Sequence, residues 1–242
     1  MKAERIALIT GANKGIGLQV SRELALLGHT VLIGARSKAS GIEVETNFTE
    51  EGLHAIFVPI DVTDHDSVKA AANLIEERFG RLDVLINNAG IALDAGALPS
   101  QLSIETLRKT FETNVFGAFT VLQTMLPLLR KSEAGRVVNM SSGLGSLTQN
   151  SDPDYEFANV KLLAYNASKT TLNAFTVLFA DELKGTSIKV NSADPGFTAT
   201  DLNNHRGTRT VEQAARIVVK LATLPESGPT GGFFDEIGQV PW

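Results

Sequence analysis

The sequence predicts an α/β fold in which short, doubly buried strands alternate with helices. Three observations carry this. Ile6-Ala7-Leu8-Ile9-Thr10 is an unbroken apolar run of strand length, the pattern of a parallel strand covered on both faces. Similar runs recur at 30–33, 55–58, 82–86, 136–140 and 188–192, with a short seventh at 232–235 and helical patterns between them. Gly11-Ala12-Asn13-Lys14-Gly15-Ile16-Gly17 then joins the first strand to a helix marked by Leu18, Leu24, Ala25 and Leu27 and closed by Gly28.

That glycine-rich turn also carries chemistry. Free backbone N–H groups at a helix N-terminus, aided by the helix dipole, hold a phosphate. Gly11, Gly15 and Gly17 let the backbone turn and approach a pyrophosphate closely. Where an NAD site places an acid for the ribose 2′-OH, at the end of the second strand, this chain has Arg36. With Lys14 in the glycine turn, two cations suit a 2′-phosphate, so NADP is expected over NAD.

The remaining elements follow in order. Residues 37–52 are polar and weakly periodic, and a helix is expected there. After the third strand, Asp61 suits an acceptor for an adenine amine and also a turn or cap residue, two roles that do not exclude each other, and Val62 follows it. Thr63 or Asp64 caps a helix with Val68, Ala71, Ala72, Leu74 and Ile75 inward, stopped by Gly80. The fourth strand leads into Asn87-Asn88-Ala89-Gly90, suited to close backbone approach by a ligand, with side-chain amides bracing the backbone. Ser103 is the expected N-cap of a long helix in which Asn114 interrupts the apolar stripe, and Pro127 is expected to kink or end it. Asn114 either binds a water or distorts the helix.

Ser142 follows the fifth strand, at the edge where open α/β sheets bind ligands, and its hydroxyl suits a substrate carbonyl oxygen. Residues 147–160 read as a surface insertion, either a lid or a solvated loop. Tyr165-Asn166-Ala167-Ser168-Lys169 places a phenol and an ammonium one helical turn apart on one face. A neighbouring cation is expected to draw the phenol pKa down, which suits it to proton transfer. After the sixth strand, Asp194-Pro195-Gly196-Phe197-Thr198-Ala199-Thr200 turns back over the same edge, with Thr198 and Thr200 suited to a carboxamide. Residues 197–210 are expected to form a substrate loop in which His205 is solvated, and a last helix is expected near 211–224.

Bulk composition narrows the function. The 242 residues suit one large domain, 1–242, and 43% hydrophobic content suffices for a core. A formal charge of -5 and a pI of about 5.4, with no basic tract, argue against nucleic-acid and anionic-membrane partners. The absence of cysteine excludes thiolate nucleophiles and disulfides, and no metal site is expected. The first apolar run is too brief for a signal-peptide core, so a cytoplasmic protein is expected.

Taken in sequence, these motifs resemble the classical short-chain dehydrogenase/reductase family, and within it the carbonyl-reductase group. The matching pieces are Thr10-Gly11-x-x-x-Gly15-Ile16-Gly17, Asp61-Val62, Asn87-Asn88-Ala89-Gly90, Asn114, Ser142, Tyr165-x-x-x-Lys169 and Pro195-Gly196-x-x-x-Thr200. The extra chain before Tyr165 and the ending Gly231-Gly232-Phe233-Phe234 through Pro241-Trp242 point to that group. The resemblance implies a Rossmann-type, doubly wound parallel sheet of seven strands binding NADP(H). It implies that Tyr165 is the general acid–base, Lys169 lowers its pKa and holds the nicotinamide ribose, and Ser142 orients the carbonyl. By the same match Asn114 anchors a relay water, Asn88 lies at the adenosine ribose, and Thr198 and Thr200 lie at the nicotinamide amide. A ketone or aldehyde is the expected substrate, with self-association through the long helices. The alternatives are a 3-oxoacyl-carrier reductase and a non-catalytic NADPH-sensing protein.

Overall fold

A computed structural model describes residues 4–94 and 96–242; Met1, Lys2, Ala3 and Ala95, which bear on the N-terminus and the 91–102 loop, lie outside the described residues. Seven strands form one sheet in the order β3-β2-β1-β4-β5-β6-β7. They are β1 (Ile6–Thr10), β2 (Thr30–Ala35), β3 (Ala55–Pro59), β4 (Val84–Asn87), β5 (Arg136–Met140), β6 (Lys189–Ala193) and β7 (Phe233–Phe234). Every pairing is parallel. The chain builds outward from β1 on one side, returns to β4, and builds outward on the other. The order therefore reverses between β1 and β4, where ligands bind in open α/β sheets.

Period-2 geometry explains the apolar runs. Ile6 and Leu8 of β1 enter one core with α3 (His65–Phe79), α5 (Ala118–Leu129) and the long α7 (Leu163–Glu182). Ala7 and Ile9 enter the other core with α1 (Gly15–Leu26), α2 (Lys38–Glu50) and α8 (Val211–Ala222). All five residues of β1 are buried, which an alternating strand would not allow. The expected boundaries hold to within two or three residues. Asp64 rather than Thr63 caps α3, accepting from Asp66 N and Ser67 N, and Gly80 ends it at φ 70°.

The helix expected after Ser103 is three pieces. α4 (Ile104–Phe111) runs into a π-helical segment (Glu112–Gly117) and then α5. Asn114 lies in the π segment, so of its two expected roles the distortion is observed. Gly117 lets that segment close on β3's loop: a Cβ there would stand 2.9 Å from Val62 Cγ2. Pro127 does not end the helix at once; it sits inside α5, which stops two residues later at Leu129, so its missing N–H falls in the last turn. The 147–160 segment opens with α6 (Leu147–Ser151), capped by Ser146. It then packs by aromatic contact, Tyr155 on Phe157 (5.7 Å) and Phe157 on Phe197 (5.8 Å), rather than standing free in solvent. Among the described residues no helix is long and apolar enough to cross a membrane.

One polar residue inside an apolar run anchors the sheet's opposite edge. Asp83, just before β4, accepts from Ile6 N (2.9 Å), Ser132 Oγ (2.6 Å) and Arg81 Nε (3.2 Å) while almost wholly buried. Asp83→Ala strands a buried N–H and a buried hydroxyl, and is expected to cost about 2–3 kcal/mol in urea denaturation. Catalytic parameters measured on the folded fraction should be unchanged, because this edge is remote from the carboxyl ends of the strands.

Candidate active site

The glycine turn lies at the carboxyl end of β1, against that of β4. Gly11 and Gly15 adopt left-handed backbones, φ 65° and 57°. A Cβ at Gly17 would stand 2.5 Å from Asn88 Nδ2 and 2.7 Å from Gly11 O, so only glycine allows this approach. The two strand ends are fastened together. Thr10 Oγ1 accepts from Asn88 N and Ala89 N, both at 3.0 Å, and Asn88 Nδ2 donates to Thr10 O (2.8 Å) and Gly11 O (3.2 Å). Asn88 thus braces backbone, as expected of its amide. Thr10 was missed as a functional residue because a lone hydroxyl ending an apolar run carries no local signal. No side chain caps the start of α1, where Lys14 holds the N-cap position. Uncapped N–H groups above a side-chain-free turn fit a pyrophosphate.

The neighbouring residues divide. Arg36 is exposed at the end of β2 with no ion-pair partner among the described residues. Asn13 Nδ2 donates to Ser40 Oγ (3.2 Å), tying the glycine turn to the start of α2. Lys14 Nζ pairs with Asp201 at 2.6 Å, both ends largely exposed. Asp61 takes the turn role, its Oδ1 accepting from Thr63 N (3.0 Å) and Oγ1 (2.8 Å), and Val62 is buried. Ile16 and Ala89 pack against the two cores. Gly90 is central: a Cβ there would stand 3.4 Å from Asn114 Oδ1 and 3.5 Å from Lys169 Nζ.

Ser142, Tyr165 and Lys169 meet beside this turn. Ser142 leaves β5 in extended backbone, its Oγ accepting from Leu144 N at 3.2 Å, and lies close enough to the Tyr165 phenol to draw its pKa down. Tyr165 and Lys169 lie one turn apart on α7, with Lys169 Nζ 5.5 Å from the Tyr165 ring centroid. Lys169 is 4% exposed and donates to Met140 O at 2.7 Å. The electrostatics overturn one expectation. Burial first, then Asp194, pushes the Tyr165 phenol up to about 12, Ser142 only partly offsetting them, with Asp94 adding a smaller upward push. Burial also lowers the Lys169 ammonium to about 8. The phenol is therefore not drawn toward neutrality in this cleft, because burial and the two carboxylates outweigh the pull of Ser142.

Asn114 has no donor to spare for a relay water. Its Oδ1 accepts from Ile91 N (2.8 Å), and its Nδ2 donates to Ile91 O (2.9 Å) and Ser168 Oγ (3.0 Å). Ser168 Oγ in turn donates to Tyr165 O at 2.7 Å. Asp94, in the loop after β4, accepts from Ala164 N (2.7 Å) at the start of α7. Asp194 accepts from Gly196 N (2.9 Å) and Gly143 N, and burial raises its carboxyl above the usual range. Nothing local in the sequence pairs Asp94 or Asp194 with partners so distant or so buried.

The last loop closes on itself. Thr198 Oγ1 donates to Pro195 O and Gly196 O, both at 3.2 Å, so its proton is held within its own turn. Thr200 and Asn203 form a reciprocal cap. The Thr200 methyl lies 3.6 Å from where a Gly15 Cβ would stand, which sets this loop over the glycine turn. His205 is exposed and pairs with Asp201 at 2.9 Å, as a solvated residue would.

Comparison with known proteins agrees with this arrangement. The short chain dehydrogenase family profile matches residues 5–210. A short-chain dehydrogenase of Penicillium roqueforti, anuI, is 38% identical over 226 residues, covering 90% of this chain and 88% of that protein. The (-)-isopiperitenone reductase of Mentha piperita is 33% identical, covering 96% of each. The crystal structure of NADPH-bound carbonyl reductase from chicken fatty liver superposes with a TM-score of 0.87 at 26% identity, covering 100% of both chains. A glycine-rich turn at the sheet's reversal, a hydroxyl, phenol and ammonium gathered beside it, and a family match spanning both place the chain in the short-chain dehydrogenase family of nicotinamide-dependent oxidoreductases.

Proposed function

We propose that the protein is an NADPH-dependent carbonyl reductase that interconverts a ketone or aldehyde and an alcohol. The observation that carries this is the gathering of Ser142, Tyr165 and Lys169 beside the glycine turn. When bound, the nicotinamide supplies a hydride to the carbonyl carbon. The chain's own groups position the substrate and handle the proton. Ser142 Oγ donates to the carbonyl oxygen, and the Tyr165 hydroxyl gives its proton to the same oxygen as negative charge develops there. The phenol's high pKa keeps it protonated at neutral pH, the form a proton donor needs. Lys169, cationic below about 8, stabilises the tyrosinate that forms. Because the Asn114 side chain is committed to Ile91 and Ser168, any relay through Asn114 falls to its backbone carbonyl.

NADP over NAD rests on Arg36, exposed and unpaired at the end of β2 with no acid beside it in sequence, and on Lys14, whose surface ion pair with Asp201 is weak enough to exchange for a phosphate. The NADPH named for the chicken carbonyl reductase supports the same reading. The substrate pocket is assigned to 93–98, the 147–160 segment and the loop after Gly196, with Phe157 on Phe197 joining the last two.

Three measurements test this reading. Tyr165→Phe should lower ketone reduction by roughly a hundredfold or more while NADPH binding, followed by fluorescence, stays within about twofold. A wild-type rate in that variant contradicts the assignment. Reduction should weaken as pH rises through about 8, where Lys169 loses its charge, and Lys169→Met should flatten that limb at a lower plateau. Across aryl ketones, α-keto esters and cyclic terpenoid ketones, NADPH should outperform NADH, and Arg36→Ala should raise the KM for NADPH about tenfold with little change for NADH. Equal use of both cofactors by the wild type removes the role given to Arg36.

A further inference from the structure

A segment of the pocket loop is tied to the helix that carries Tyr165 at two points. Asn114 clamps Ile91 and reaches Ser168, one turn beyond Tyr165. Asp94 reaches the other side of Tyr165: its Oδ2 accepts from Ala164 N at 2.7 Å and, more weakly, from Tyr165 N at 3.4 Å. The first N–H groups of a helix have no intrahelical acceptor. In α7 the N-cap position is Leu162, which offers no side-chain acceptor, and Ala164 is fully buried, so water cannot serve. A carboxylate from the loop, 2% exposed, does the capping instead, where the helix dipole favours negative charge. Its second oxygen, Oδ1, is buried with no hydrogen-bond partner among the described residues. Capping uses one oxygen only, so the retained charge has a second consequence. Asp94 raises the pKa of the Tyr165 phenol alongside Asp194, while Ser142 lowers it and Lys169 Nζ stands 5.5 Å from the ring centroid.

We propose that Asp94 is a positioning residue for the reaction, holding the start of α7 from the substrate loop and so setting where the Tyr165 hydroxyl stands in the cleft. The role in turnover rests on the reading of Tyr165 as the proton donor; the physical coupling of Asp94 to Tyr165 does not. Without the cap the first turn of α7 loosens on the side where Tyr165 begins its approach to the substrate. A displacement on the order of 1 Å at such a group costs about a hundredfold in rate.

The test uses the full chain with Asp94→Ala and Asp94→Asn. Turnover is measured on the panel ketone that the wild type reduces fastest, and folding is followed by circular dichroism. The phenols are titrated by tyrosinate absorbance, which is tractable because the chain has only two tyrosines, and Tyr165→Phe identifies the signal. Asp94→Ala should lower kcat at least about tenfold with the KM for NADPH within about twofold. Asp94→Asn retains an acceptor for Ala164 N and should return kcat to within about threefold of wild type. In both variants the Tyr165 phenol should titrate at lower pH, because a negative charge acting on it is gone. A folded Asp94→Ala with wild-type kcat and an unmoved phenol overturns the proposal. So does an Asp94→Ala that fails to fold together with an Asp94→Asn whose phenol titrates as in the wild type, since Asp94 is then a stabilising cap alone. If the wild type oxidises NADPH with no ketone of the panel, the reductase reading fails by itself, and the phenol titration still decides whether Asp94 acts on Tyr165.

Discussion

A single buried amide holds the candidate site together. Asn114 makes three hydrogen bonds, two to the backbone of Ile91 and one to Ser168. A buried amide left without partners costs several hydrogen bonds' worth of desolvation, so the Asn114 pocket constrains everything around it. It fixes the loop leaving β4, fixes the turn of α7 after Tyr165, and comes with a π-helical turn that shifts the register between α4 and α5. The substrate side and the proton-transfer side of the cleft are thereby parts of one hydrogen-bonded unit.

Burial also governs the charges. Lys169 is taken almost wholly out of water with Met140 O as its hydrogen-bond acceptor, and a carbonyl does not compensate an ammonium as a carboxylate would. Its proton is correspondingly easier to lose. Tyr165 moves the opposite way, because the same desolvation disfavours its anion and Asp194 and Asp94 add to that. The two pKa values, ordinarily close together, are driven apart, the phenol to about 12 and the ammonium to about 8. Near neutral pH both groups still carry their protons, the state that the proposed reduction requires of them.

Much of the candidate site was legible along the chain because its parts are local. The glycine turn needs left-handed and side-chain-free positions within seven residues, and Tyr165 and Lys169 need one helical turn. What the residues alone do not show depends on partners distant in sequence. Lys14 pairs with Asp201, and Asn88 donates to Thr10 and Gly11. In each case the partner is set by where another segment comes to rest.

The sequence by itself determined the parallel α/β architecture, because unbroken apolar runs such as Ile6–Thr10 can be satisfied only by burial on both faces. It determined the glycine-rich turn and the spacing of the phenol and the ammonium, because backbone sterics and helical period act over a few residues. Only the tertiary structure decided which way the Tyr165 pKa moves, that Asp94 caps α7, and that the 147–160 segment packs on Phe197. Those depend on desolvation and on contacts between segments far apart in the chain, and neither is encoded in any single stretch of residues.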